Sequence, residues 1–361
     1  MTSEDLFMKT IKKVSRLTAA VAAVLLLVSC SEPATDQLVI YSGRSQALVD
    51  QLVTDFKQQT GIDVEVRYGN DAELLAVMNE EGGQSPADLY WANTMGAMAI
   101  ASKQNLLKPL PDSLLNKPAA FKSSSDEWIP VTVRYRVLAY NANNVDSTQL
   151  PTSVMDLPGM SEFEGRVGWT PTYSSFYDFL TTVRLTQGDE EARRWLLGMM
   201  QLDPKSYSSN TPMVQAIAAG EIDIALTNHY YILRLKYGGG EGEYEDHEHY
   251  GEAEPNANAP IKTYHFEEGD LGNLALVTGA AELQTSQDSE AAQKFLGFLL
   301  SRQAQEYAAE SVHEYPVIDG VTLPDYMLNL ERAFKLSPEY DYEKLQQLEG
   351  TLNLLREVGV I

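Results

Sequence analysis

The chain has 361 residues, with 51 Asp and Glu against 27 Lys and Arg, and a net charge of −24 at pH 7. That sign disfavours nucleic acid as a partner, because phosphate binding needs a cationic surface; it suits a chain that draws cations or one adapted to saline surroundings. The only cysteine is Cys30, which excludes an intrachain disulfide framework and a thiolate metal site.

Lys9, Lys12, Lys13 and Arg16 precede an apolar run over 17–28 that is too short to span a bilayer comfortably. The run ends in Leu27-Val28-Ser29-Cys30, which resembles a bacterial lipobox. Residues 1–29 are therefore expected to be a lipoprotein signal peptide, with Cys30 lipidated and 30–37 a polar tether. An ordinary signal peptide that contains a cysteine is the alternative. A lipid on Cys30 anchors a chain to a membrane without spanning it.

Leu38-Val39-Ile40-Tyr41 reads as a strand. Leu48, Val49, Leu52, Val53 and Phe56 follow at helical spacing, and Gly61 suits a helix end. Ile62-Asp63-Val64-Glu65-Val66 alternates as a second strand, completing a βαβ start that points to a parallel sheet. A helix over 73–80 leads to a third strand near Ala87-Asp88-Leu89-Tyr90. Residues 128–140 form a long β-type run, suited to crossing between two lobes. The stretch 151–159 is turn-rich, and Val167-Gly168-Trp169 is strand-like. Helices are predicted over 176–186, 190–200 and 212–219, and the last feeds a buried strand over 222–226. Residues 238–260 hold seven acids, no Lys or Arg, and His247 and His249. They read as a solvated insert, with a cation-collecting arm as the functional alternative. Leu274-Ala275-Leu276-Val277-Thr278-Gly279 reads as a second crossing strand. An amphipathic helix covers 289–300, and the chain ends in helix over 344–358.

Directly after the 222–226 strand stands Asn228-His229-Tyr230-Tyr231. Strand ends are where α/β folds place ligand-binding groups, and phenolate is a hard donor suited to a hard cation such as ferric iron. With 19 Tyr in the chain, chance would supply such a pair, and two core aromatics are the competing explanation. Adjacent residues in an extended segment face opposite ways, so a shared ion requires a turn after the strand. No Gly-x-Ser-x-Gly, P-loop or Rossmann fingerprint occurs, and an enzyme is not expected.

Several motifs recur in one order: Tyr41-Ser42-Gly43-Arg44, Ser85-Pro86-Ala87-Asp88, Arg134-Tyr135-Arg136-Val137, Gly165-Arg166-Val167-Gly168-Trp169, Gly220-Glu221-Ile222-Asp223, Asn228-His229-Tyr230-Tyr231, Gly279-Ala280-Ala281 and Glu314-Tyr315-Pro316. Together they resemble the bacterial solute-binding proteins of the ferric-ion type, the capture component of iron ABC importers. The resemblance runs from Leu38 to about Pro316. It implies a two-lobed α/β periplasmic binding protein fold of type II, each lobe a mixed sheet flanked by helices, with two crossing hinge strands. Lobe 1 is expected over 38–135 plus 276–326. Lobe 2 is expected over 136–275 plus 327–361, with the insert 238–260.

The resemblance gives Tyr230 and Tyr231 the role of iron(III) ligands, with Tyr173 the best placed further donor and Tyr135 and Tyr41 behind it. Thr172, Ser174 and Ser175 match an anion-binding turn, and Asn210 and Asn228 match asparagines that hydrogen-bond the anion. Arg44, Arg134 and Arg136 are expected to reach it from the other lobe. The anion expected is carbonate, bicarbonate or phosphate. The chain departs from the pattern where some relatives carry first-lobe His and Glu ligands: Ser45 and Asn93 stand there. Phe176 replaces a tyrosine of some members, and His229 is expected to face away from the cleft. The expected partner is an ABC permease, and the protein is expected to be a monomer outside the cytoplasm. A non-iron ligand (an oxyanion, a polyamine or a small organic molecule) or a ferric chelate in the same fold is the alternative.

Overall fold

The computed structural model describes residues 37–44, 46–239 and 254–361. Cys30 with its lipobox, Ser45, and most of the acidic insert with His247 and His249 lie outside the described residues. Among the described residues no helix is long and apolar enough to cross a membrane.

The architecture turns on one strand. β4 (Ile129–Asn141) is 13 residues long and buried throughout. Its sequence does not alternate because both faces are covered, as in sheets packed on two sides. At about 3.3 Å per residue it is long enough to serve two sheets in succession. Its first half pairs antiparallel with β9 (Ala275–Glu282), down to Tyr135 opposite Ala275. Its second half pairs with β7 (Ile224–Asn228) and β8 (Ile261–Tyr264), starting at Arg136 opposite Asn228. The partner change therefore falls between Tyr135 and Arg136.

In lobe 1, β1 (Gln37–Ser42) lies beside β2 (Asp63–Tyr68) and runs parallel to β3 (Leu89–Ala92), which pairs antiparallel with β9. Helices flank it, among them α1 (Gln46–Thr60), α2 (Asp71–Glu81), α3 (Met95–Lys103) and the short α4 (Asp112–Leu115). Asn70 and Glu73 form a reciprocal capping box that starts α2. The core closes on aromatic contacts, with Phe56 and Phe295 edge-to-face at 5.0 Å. Such a pair contributes about 0.5–1.5 kcal/mol beyond its buried area.

In lobe 2, β5 (Val167–Trp169) runs parallel to β7 and to β6 (Lys205–Ser206). The helices α5 (Ser174–Gln187) and α6 (Asp189–Gln201) pack on one face through Phe179 and Trp195, whose rings lie 5.3 Å apart. The helices α7 (Asn210–Ala219) and α8 (His229–Tyr237) cover the other face with Met213, Val214, Ile217 and Ile232. Gly168 lets β5 approach that layer, because a Cβ there would stand 2.5 Å from Ile222 Cδ1. The mixed, two-lobed architecture is the type II fold anticipated above.

The remaining helices are α9 (Ser289–Leu299), α10 (Arg302–Tyr307), α11 (Leu330–Leu336) and α12 (Leu348–Glu357); the two-residue β10 (Tyr315–Pro316) pairs with β4. The segment 327–361 contributes to both lobes. Met327, Ala333 and Leu345 join the first core, whereas Leu354 and Leu355 join the second.

Candidate metal centre

The strand before the tyrosine pair starts two residues later than its hydropathy suggests. Asp223 is drawn out of the apolar run by Arg166, which accepts its backbone N–H at 2.7 Å and ion-pairs with its carboxylate. The β7 ladder thus begins at Ile224 and ends at Asn228. Asn228 keeps extended dihedrals and caps α8, so the chain enters a helix where a turn was expected. Tyr230 and Tyr231 are the second and third helical residues, at the end where backbone N–H groups lack partners.

This placement brings the rings together. Their centroids lie 4.2 Å apart at 31°, and both residues are buried. Arg234, one turn on, lies 4.4 Å from the Tyr230 ring centroid and 5.4 Å from that of Tyr231. A guanidinium there is held by the ring quadrupoles. Sequence reasoning missed Arg234; its signal was the helical spacing of Tyr230, Tyr231 and Arg234, readable only once the helix start is known.

Tyr173, 58 residues earlier, caps α5 and places its hydroxyl 2.8 Å from that of Tyr231. Three phenols therefore share one end of lobe 2. Beside them Arg136 is fully buried; it donates to Ser175 Oγ at 3.2 Å, Asn228 Oδ1 at 3.1 Å and Leu226 O at 3.0 Å. Burial lowers its pKa to about 10, and the neighbouring Tyr231, Tyr230 and Tyr173 favour its charge. It touches no carboxylate among the described residues, so this cation stands ready to balance phenolates. Arg136 is rooted in the lobe 2 half of β4, opposite Asn228, which corrects its expected approach from the other lobe.

The amide nitrogens of Asn210 and Asn228 and the hydroxyl of Thr170 are buried without a partner among the described residues. Both asparagines stand at helix N-termini, and Asn210 Oδ1 accepts from Thr227 at 3.1 Å. Buried donors left open in this way are costly unless a ligand or water meets them. Thr170 was not foreseen. Of the expected anion-binding turn, Ser175 reaches Arg136, Ser174 is half-buried and Thr172 is exposed.

The lobe 1 wall is built differently. Arg44 and Arg134 both donate to Asn93 Oδ1 at 2.9 Å, and Arg44 also reaches Glu314 Oε1 at 2.8 Å. Burial opposes the charge on Glu314, but Arg44 and Arg134 outweigh it and hold its carboxyl well below the usual range. Asn93 thus serves the two arginines. Tyr41 turns to Glu81, 3.0 Å away, and Arg67, and does not join the other tyrosines. The Tyr135 hydroxyl is buried, without a partner among the described residues, in a small cavity behind the hinge, with His229, His265, Asn273 and Tyr315, and burial raises its pKa far. His229 accepts the Tyr135 backbone N–H at Nδ1 (3.1 Å) and donates through Nε2 to His313 O (2.8 Å). Burial lowers its pKa to about 4, so it is neutral and bridges the lobes. Phe176 packs on Trp169 in the core.

Among the described residues no group of three or more His, Cys, Asp or Glu is arranged to hold a metal. The donors at this end are tyrosine oxygens.

The family model for bacterial extracellular solute-binding proteins matches residues 38–311. The chain is 28% identical to the major ferric iron-binding protein of Neisseria meningitidis serogroup B over 98% of its own length and 100% of that protein. It is 30% identical to iron uptake protein A2 of Synechocystis, covering 95% of each. The structure of iron-bound HitA from Pseudomonas aeruginosa matches 90% of this chain and 99% of that one, at 30% identity and a TM-score of 0.79. The chain belongs to the ferric-ion-binding branch of the bacterial extracellular solute-binding proteins. Solute-binding proteins of this family work with ABC importer permeases. The solute-binding protein described here places three phenols at one end of lobe 2, beside an arginine that has no carboxylate partner among the described residues.

Proposed function

We propose that this solute-binding protein captures iron(III) with an oxyanion between its lobes and delivers it to an ABC permease, tethered outside the cytoplasm by a lipid on Cys30. The observation that carries the reading is the meeting of the Tyr173 and Tyr231 hydroxyls at 2.8 Å beside Tyr230 and the buried Arg136. Iron(III) favours phenolate over phenol and displaces the proton, and Arg136 offsets the negative charge that develops. Tyr173, Tyr230 and Tyr231 are the ligands of this reading. The open amide nitrogens of Asn210 and Asn228, with the N-termini of α5 and α8, suit carbonate, bicarbonate or phosphate.

Lobe 1 supplies charge in place of ligands. Arg44 and Arg134 are organised by Asn93 and Glu314, so lobe 1 meets the anion more readily than the metal. Because protons compete with iron for the phenols, affinity falls as pH falls.

The test is a visible spectrum of the protein mixed with ferric citrate and bicarbonate. A tyrosinate-to-iron charge-transfer band is expected in the parent and absent in the Tyr230→Phe/Tyr231→Phe double variant. A band that survives in the double variant, or none in the parent with any anion, refutes the assignment.

A further inference from the structure

Just before the Glu314-Tyr315-Pro316 motif the backbone takes an uncommon course. Ala308–Val312 form a π-helical turn, and His313 after it is left-handed, with φ 62° and ψ 29°. π turns are rare, and a non-glycine residue at positive φ is held there by its surroundings. The segment is rooted in lobe 1: Val312 and Tyr315 lie in its core, and β10 pairs with the lobe 1 half of β4.

His313 is 2% exposed, and it reaches both ends of α8, the helix of Tyr230 and Tyr231. Its carbonyl oxygen accepts from Nε2 of His229, the first residue of that helix, at 2.8 Å. Its own ring Nε2 donates to the carbonyl of Gly238, the C-cap, at 2.7 Å. A carbonyl only accepts, so Nε2 carries the proton and Nδ1 accepts the Tyr326 hydroxyl at 3.2 Å. The nine-residue helix is thus gripped at both ends by a single residue of the other lobe. Rotating residue 313 into an ordinary helical or extended conformation would swing its carbonyl away from His229. The fit is close: a Cβ on Gly239, where φ is 84°, would lie 2.5 Å from Ser311 O and 3.3 Å from His313 Nε2. Leu233 of α8 adds an apolar contact to the lobe 1 core.

The next residue is fixed to the arginine wall. Glu314 is fully buried and accepts from Arg44 at 2.8 Å and from the Thr132 hydroxyl. The tyrosine helix and Arg44 therefore hang on consecutive residues. Their separation is set before a ligand arrives, which removes part of the ordering cost of binding. We propose that His313 is a positioning residue for capture: it clamps both ends of α8 to lobe 1 and thereby fixes Tyr230 and Tyr231 relative to Arg44. Both ring nitrogens of His313 are engaged, so it acts through the helix and not on the metal. The inference rests on reading the two tyrosines as iron(III) donors.

The experiment compares the full chain with its His313→Gly and His313→Asn variants. Glycine accepts the left-handed backbone without strain and keeps the carbonyl that holds His229, so only the grip of the ring is lost. Asparagine also tolerates this conformation and keeps a shorter donor. With ferric citrate and bicarbonate, His313→Gly is expected to bind iron(III) about tenfold more weakly in competition with a chelator, the lower end of what removing a ligand's support costs. Its charge-transfer maximum is expected to move, because the phenolates are displaced, and His313→Asn should fall between it and the parent. An affinity equal to the parent's, or an unmoved maximum, overturns the inference: a residue that only stabilises the fold lowers the unfolding midpoint and leaves the band in place. A second readout is iron-free. The α8 amides over 229–237 should exchange hydrogen about tenfold faster in His313→Gly, with α5 unchanged. No acceleration, or equal acceleration in both helices, also overturns the inference. If the glycine variant does not fold, the asparagine variant carries both readouts. A parent without a band refutes the iron(III) assignment, and the exchange data then decide by themselves whether α8 hangs on His313.

Discussion

Replacing Tyr231 by Phe separates the structural work of this side chain from its work on metal. The ring survives, so its 4.2 Å contact with Tyr230 and the Arg234 guanidinium over it survive as well. What is lost is the oxygen that meets Tyr173 at 2.8 Å. A hydroxyl pair of this kind contributes about 1 kcal/mol net, so the metal-free protein should lose roughly that. At this size the loss appears as a fall in melting temperature of roughly 2–4 °C. Iron binding should suffer far more. Even a group that only supports a metal ligand costs about 10–100-fold in affinity when removed, so loss of a donor should cost at least about 100-fold. With iron present at a fixed excess, that removes about 2.7 kcal/mol of ligand-induced stabilisation. Thermal unfolding with and without iron and bicarbonate measures both numbers in one experiment. A variant that keeps the full iron-dependent shift refutes the ligand role. A variant already crippled without iron shows that Tyr231 is part of the core, as chance pairing would have it.

Three further outcomes follow from the same geometry. Arg136→Met removes the cation beside the three phenols, so the pH at which half the charge-transfer band is lost should rise by about one unit in a spectrophotometric titration. His229→Asn should weaken the hinge by about 1–3 kcal/mol in urea unfolding, because the Tyr135 N–H or the His313 carbonyl is left without its partner. The parent holds His229 neutral, with its pKa lowered to about 4, so this residue makes the folded state lose stability as pH falls from about 6.5 to 4. The variant should lose that component, and an unchanged acid limb contradicts the buried neutral imidazole. Glu314→Gln removes the carboxylate that ion-pairs with the buried Arg44 and should destabilise the fold, read as a lower urea midpoint.

Much of the frame was legible in the chain. The helical spacing of Leu48 to Phe56, the stop at Gly61 and the alternation of 62–66 follow from local periodicity, which tertiary packing had no reason to override. The long run over 128–140 announced a strand long enough to cross between two lobes. Where Asp223 broke the pattern, hydropathy misplaced the start of β7, because the partner that draws it aside, Arg166, stands 57 residues away in sequence. That shift decides whether the tyrosines follow a turn or open a helix.

The amino-acid sequence alone determined the candidates: a tyrosine pair after a buried strand, arginines in the Arg134-Tyr135-Arg136 run, and asparagines at 210 and 228. Those are chemical identities and local spacings, and they need no fold to be read. Only the tertiary structure selected among them. It joined Tyr173 to Tyr231, sent Tyr41 to Glu81 and Tyr135 to the hinge, and placed Arg234 over both rings. It also gave Asn93 to two arginines. The physical reason is that a strand register or a helix start shifted by one residue redirects a side chain entirely. Which oxygens converge is therefore set by pairings such as Arg136 with Asn228, far apart along the chain and adjacent across the sheet.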